Sequence, residues 1–195
     1  MLKKLSIAAL LLAAAGAGYL LRQELQQNDV AAINAADVAT APVAFALPDL
    51  EGNVRNFAEW DGQARIINFW ATWCAPCRRE IPLLKETQAQ HAESGLQVIG
   101  IAVDFTEDVI NYAQDAQFNY PILVGQEDAM AVAEASGVEF IGLPFTMIVT
   151  PAGELLGVHL GEIHAPQIQT IVEQLAALQR GETSFAAAQK ALKNL

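Results

Sequence analysis

The sequence predicts an α/β fold with a mixed central sheet flanked by helices. Apolar, β-rich runs alternate with helical patterns up to residue 137, which argues for parallel strand pairing. A turn-linked hairpin and a long helix then follow, adding antiparallel strands to the same sheet. The chain has 195 residues, of which 53% are hydrophobic, enough for one domain with appendages.

The N-terminus comes first and reads differently from the rest. Lys3 and Lys4 precede an uncharged, largely apolar run from Leu5 to Leu21. A helix of that run would span ~26 Å at about 1.5 Å per residue, near the thickness of a bilayer core. Residues 1–22 therefore read as a signal or anchor segment, with the paired lysines holding the N-terminus in the cytoplasm and the rest outside. We expect an uncleaved anchor. The alternative is cleavage near the small residues Ala15-Gly16-Ala17, which would release a soluble secreted domain. Residues 23–41, rich in Gln, Asn, Asp and Ala, read as a spacer, and the folded domain is expected over 42–180.

Within that domain, Val43–Leu47 and Asn53–Phe57 are expected as short strands joined by a turn at Gly52. Arg65–Trp70 is a β-rich run suited to a central strand. A helix is expected from Pro76 to about Glu93, stopped by Gly95. Leu96–Asp104 reads as a strand buried on both faces. Glu107–Gln117 reads as a helix, Pro121–Val124 as a short strand, and Asp128–Ala135 as a further helix ended by Gly137. Phe145–Thr150 and Glu154–His159 form the hairpin about Pro151-Ala152-Gly153. In Ala165–Leu178, Ile168, Ile171, Val172 and Leu175 recur at helical spacing. The tail, 181–195, has room for one more short helix.

Charge and cysteine usage narrow the function. The net charge is −11, and all of it lies beyond residue 40, because three basic and three acidic residues cancel before it. Nucleic-acid binding needs a basic surplus that displaces counterions, and none is present. Two cysteines occur, Cys74 and Cys77. A disulfide scaffold would spread several along the chain, and a tetrahedral zinc site would need two further ligands. His91, His159 and His164 are each isolated in their segments and read as non-catalytic.

The chemistry concentrates in Phe69-Trp70-Ala71-Thr72-Trp73-Cys74-Ala75-Pro76-Cys77. A strand leads directly into a cysteine pair at the start of a helix. Unpaired N–H groups and the positive end of the helix dipole favour a thiolate there, which activates Cys74 as a nucleophile. Pro76 suits the first helical turn. With two intervening residues the sulfurs can bridge, so that one cysteine attacks a disulfide and the other resolves the mixed disulfide. A permanent structural disulfide is the competing reading, although closing so short a loop removes little chain entropy.

Residues 66–82 (IINFWATWCAPCRREIP) resemble the active-site segment of the thioredoxin superfamily, and within it the membrane-anchored, extracytoplasmic TlpA/ResA/CcmG-like branch. The resemblance covers about residues 42–180 and includes the Gly142-Leu143-Pro144-Phe145-Thr146 segment. It implies a thioredoxin-like fold with an N-terminal hairpin extension. It implies Cys74 as nucleophile, Cys77 as resolving cysteine, and a Cys74–Cys77 redox disulfide. Pro144 matches the family's cis-proline; Leu143, Pro144 and Trp73 would flank the substrate groove. Asn68 stands where cytoplasmic thioredoxins carry a buried Asp, and Asn takes no proton at neutral pH. The acidic residue that follows the motif in the anchored branch is matched by Glu80, a candidate base; its competing reading is a solvated carboxylate favoured by the helix dipole. Arg78 and Arg79 read as surface charge. Phe145 stands where the cytochrome c maturation reductases often have an acidic residue.

The resemblance implies a thiol-disulfide oxidoreductase acting on protein disulfides or dithiols outside the cytoplasm as a reductase, supplied with electrons by a membrane partner, with no metal or organic cofactor. The rival readings are a disulfide donor or isomerase, and a redox-inert binding or chaperone module.

Overall fold

The computed structural model describes residues 43–139 and 141–193. The predicted signal or anchor segment and its spacer lie outside these residues. Among the described residues no helix is long and apolar enough to cross a membrane.

A five-stranded sheet organises the domain. Its strands are β3 (Ala64–Trp70), β4 (Leu96–Val103), β5 (Ile122–Gly125), β6 (Phe145–Val149) and β7 (Leu155–Leu160), in the order β5-β4-β3-β6-β7. β3 and β4 pair parallel, as do β4 and β5, whereas β6 runs antiparallel to both β3 and β7. This is the mixed sheet the sequence predicts. The early strands are shorter than expected: β1 (Ala46–Pro48) and β2 (Val54–Asn56) form a separate two-stranded hairpin. That hairpin touches the main sheet by an antiparallel bridge between Asp49 and Leu123.

The described residues include five α-helices, in chain order α1 (Ala75–His91), α2 (Thr106–Ala116), α3 (Glu127–Ala135), α4 (Ala165–Gln179) and α5 (Phe185–Leu192). The last lies in the tail, which the sequence leaves room for. α1 ends in a 3-10 turn, Ala92–Ser94, closed by Gly95 at φ 83°, a left-handed conformation that costs glycine little.

β3 is buried along its whole length, as a central strand covered on both faces must be. Its alternating side chains feed two apolar clusters. Ile66 and Trp70 join one with Cys74, Cys77, Ile81 and Leu84 of the α1 side and Ile168, Ile171 and Leu175 of α4. Ile67 and Phe69 join the other with Phe145, Met147, Val132 of α3, Phe57 and Trp60. Phe69 and Phe145, paired across the strands, stack with ring centroids 4.2 Å apart. Arg65, fully buried on this second face, lies over the Phe57 ring at 4.6 Å and donates to the Thr150 carbonyl at 2.7 Å.

One tier of the first face is polar or empty. Gly100 of β4, Asn68 of β3, Thr146 of β6 and His159 of β7 stand in a single row across the sheet. Asn68, Thr146 and His159 are all buried. At Gly100 a Cβ would come within 2.7 Å of Ile122 Cδ1 and 3.2 Å of Trp70 Nε1, so this position accepts only glycine without displacement of its neighbours.

Candidate active site

The site forms where β3 ends. Trp70 is the last strand residue, and four residues later Cys74 is the N-cap of α1. Its Sγ accepts the N–H of Cys77 at 3.3 Å, a direct realisation of the unpaired-donor argument for a helix start. Pro76 occupies the first turn, where a missing N–H is harmless. Cys74 and Cys77 are joined by a disulfide, with Cα atoms 5.3 Å apart. Cys77 is fully buried and Cys74 nearly so. Pro82 lies inside α1 and supplies no N–H to the preceding turn.

The loop between β3 and the cysteines is fastened from β4. Asp104 Oδ2 accepts both the N–H and the hydroxyl of Thr72, at 2.8 and 2.6 Å, and its Oδ1 accepts the N–H of Phe105. Arg78 Nη1 donates to the Thr72 carbonyl at 3.0 Å. The Trp73 side chain is thereby left in solvent, 68% exposed, beside a buried Cys74.

The expected loop lies at the same end of the sheet. Leu143–Pro144 is a cis peptide, one residue before the start of β6, whose Phe145 pairs with Phe69 near the end of β3. Leu143 packs against the apolar cluster that contains both cysteines. The Pro144 carbonyl accepts the N–H of Gly161 at 2.9 Å, which draws the loop after β7 to the same place.

Glu80 is not the solvated helix carboxylate of the alternative reading. It is 1% exposed. Oε1 accepts Asn68 Nδ2 at 2.7 Å, and Oε2 accepts the N–H of Ile163 at 2.7 Å. Burial pushes its pKa up to about 7, against the opposing pull of those two donors; desolvation of the charged form outweighs the hydrogen bonds. Glu80 is one turn beyond Cys77 on α1, on the side that faces the core. A carboxyl poised near neutrality and one helical turn from a buried thiol can take or return a proton.

The arginines do more than decorate the surface. Arg79 forms a forked ion pair with Glu162, its Nε lying 3.1 Å from each carboxylate oxygen, and Arg78 holds the Thr72 carbonyl as described. Reasoning from sequence does not single out Asp104, Thr146 or Glu162, and it reads His159 as uninvolved. His159 is in fact buried, with Nε2 3.3 Å from the Glu162 carbonyl. Nothing in a linear pattern marks these residues, because sheet register and loop closure bring them together. No group of His, Cys, Asp and Glu suited to a metal is found among the described residues.

Comparison with known proteins bears on the family and the fold. A thiol-disulfide oxidoreductase ResA of Halalkalibacterium halodurans is 29% identical over 132 residues, spanning 67% of this chain and 73% of that protein. A second ResA, of Geobacillus thermodenitrificans, is 28% identical over 138 residues, 70% of this chain and 76% of that one. Among solved structures, a thioredoxin-family thiol:disulfide interchange protein of Chlorobium tepidum superposes with a TM-score of 0.63 at 29% identity, covering 70% of this chain and 95% of that one. A thiol:disulfide interchange protein of Bacteroides sp. superposes with a TM-score of 0.60 at 24% identity, covering 73% and 94%, and shares the fold. The AhpC/TSA family matches residues 38–157; this thioredoxin-fold chain belongs to that family.

Proposed function

We propose that the chain is a thiol-disulfide oxidoreductase that reduces protein disulfides outside the cytoplasm, tethered by residues 5–21 and recharged by a membrane electron donor. The observation that carries the activity is the cysteine pair at the start of α1, with Cys74 capping the helix, Cys77 buried beneath it and the two already bridged. The names of the ResA relatives support the same chemistry.

The reaction follows from the arrangement. In the dithiol form, helix N–H groups stabilise a thiolate on Cys74. That thiolate attacks one sulfur of the substrate disulfide; a Cys74–substrate bond forms and the substrate's second sulfur leaves as a thiolate. Glu80, as carboxylate, takes the proton of Cys77. The Cys77 thiolate then attacks Cys74 Sγ, the mixed disulfide breaks, and the second substrate thiolate departs. The substrate has gained two electrons and the Cys74–Cys77 disulfide remains. Reversal of these steps with a dithiol donor restores the enzyme. Trp73 and the Leu143–Pro144 loop flank the sulfurs, where an extended substrate segment can pair with backbone as an added strand.

Trapping tests the reading. Cys77→Ser should accumulate a mixed disulfide with reducible protein substrates, and Cys74→Ser should form none and should lose insulin reduction in dithiothreitol. Full insulin reduction by Cys74→Ser would refute the assignment. A strongly reducing potential of the couple is expected for a reductase; a value near that of known oxidants would make it a disulfide donor. A reporter fused after residue 180 should be extracytoplasmic and sediment with membranes, whereas a soluble, shortened product would indicate cleavage of the leader.

A further inference from the structure

Glu80 is held by a loop, and the loop is held by groups outside the cysteine motif. Ile163 N–H meets Glu80 Oε2 at 2.7 Å. The carbonyl of the same peptide unit, on Glu162, lies 3.3 Å from His159 Nε2. A carbonyl oxygen only accepts, so this contact is a hydrogen bond in the tautomer that carries the proton on His159 Nε2. A single peptide plane thus connects an imidazole donor on one side to the carboxylate on the other. Donation to the carbonyl polarises the peptide and strengthens its N–H as a donor.

Two further features fit this role. His159 is buried, and its Nδ1 has no hydrogen-bond partner among the described residues; its one polar contact is the Glu162 carbonyl. Leaving one nitrogen of a buried imidazole unsatisfied is costly, so the ring's place here calls for an explanation, and the contact made by its other nitrogen supplies one. On the solvent side, the fork from Arg79 to the Glu162 side chain grips the same residue. Adjacent residues of α1 therefore clasp adjacent residues of the loop: Arg79 holds Glu162, and Glu80 holds Ile163.

We propose that His159 is a positioning residue for Glu80, fixing the Glu162–Ile163 peptide so that its N–H remains aimed at the carboxylate. The inference rests on the reading of Glu80 as the proton-handling group. Other titratable or charged groups surround Glu80. Arg79 is its neighbour on α1, Cys77 on the same helix is disulfide-bonded and does not titrate, the Glu162 side chain opposes its charge from the loop, and Tyr120, ahead of β5, feels the Glu80 charge. Asn68 of β3 contributes the second donor and is tied in turn to Thr146.

The test is a nuclear magnetic resonance titration of the full-length chain in its disulfide form, where the cysteines do not titrate. The Glu80 carboxyl carbon and the Ile163 amide proton are followed against pH in the unsubstituted protein, in His159→Phe and in His159→Gln. In His159→Phe the Glu80 midpoint should rise by about half a pH unit, the effect of weakening one hydrogen bond, and the Ile163 amide proton should move upfield. His159→Gln retains a donor near the position of Nε2 and should restore both. An unchanged midpoint and amide shift in His159→Phe would overturn the proposal. If His159→Phe does not fold, the imidazole nitrogen shifts of the unsubstituted protein decide: a proton on Nε2 supports the proposal, and a neutral ring protonated on Nδ1 overturns it. Exchange rates are not read, so a Glu80→Gln variant with normal exchange would refute the role of Glu80 without touching this result.

Discussion

Replacing Glu80 by Gln should make the oxidised protein relatively more stable as the pH rises. The folded state keeps the Glu80 proton up to about pH 7, whereas the unfolded chain releases it near 4.5. Between those values the native protein binds more protons, so this group's contribution to stability is fully present below about pH 4.5 and is lost as pH climbs through 7. Each tenfold change in a group's acidity on folding is worth about 1.4 kcal/mol, so the loss between pH 4 and pH 8 comes to about 3 kcal/mol. The figure applies without discount for screening by water because the side chain is 1% exposed. A neutral Gln sheds this dependence. One of its amide hydrogens can reach Asn68 Oδ1, which has no partner among the described residues, once the Asn68 amide turns over. Urea unfolding of both disulfide forms at a series of pH values measures the difference, with other titrating groups cancelling between the two proteins. The stability of Glu80→Gln minus that of the unsubstituted protein should grow by about 3 kcal/mol from pH 4 to pH 8. A difference that stays flat, or falls with pH, would refute the account of a carboxyl held protonated by burial.

Gly100→Ala should destabilise the domain by about 1–3 kcal/mol, the usual range for overpacking, because its Cβ would meet Ile122 and Trp70; thermal unfolding checks this. Trp73→Ala should change stability by less than about 0.5 kcal/mol, as expected for so exposed a side chain, while raising KM for protein substrates in a reduction assay. Asp104→Ala should cost about 1–3 kcal/mol by leaving the Thr72 and Phe105 donors unpaired, and should loosen the Trp73 loop, read by Trp fluorescence anisotropy.

The order of strands and helices is legible because each segment carries its own periodicity. RIINFW reads as a central strand, and Ile168, Ile171 and Leu175 mark one helical face; both segments occur where expected. The cysteine pair is legible because local geometry alone, a strand running into a helix start, creates its chemistry. The cis peptide before Phe145 follows from family resemblance, since nothing in Gly-Leu-Pro-Phe itself distinguishes it from a turn. Glu80 is half legible. Its place after Cys77 points to a role, but Arg-Arg-Glu looks like a charged surface, and only packing of α1 against Asn68 and the loop after β7 buries the third residue while exposing the first two. His159 is illegible, because its meaning depends on a register between β6 and β7 and on a loop that returns the chain to α1.

The row Gly100–Asn68–Thr146–His159 also bears on how the strands find their alignment. Apolar side chains on a strand are nearly interchangeable partners, and a slip of two residues keeps each one on its own face. Asn68 makes such a slip of β3 against β6 visible to the energy of the system. Displaced by two, it would stand opposite Ile148 or Pro144 instead of Thr146, and a buried amide and hydroxyl would lose their partner, costing about 1–3 kcal/mol for each unsatisfied group. The tier that holds the buried Glu80 carboxyl in the finished protein thus works during folding as a key, favouring one pairing of the central strands over its nearest competitors.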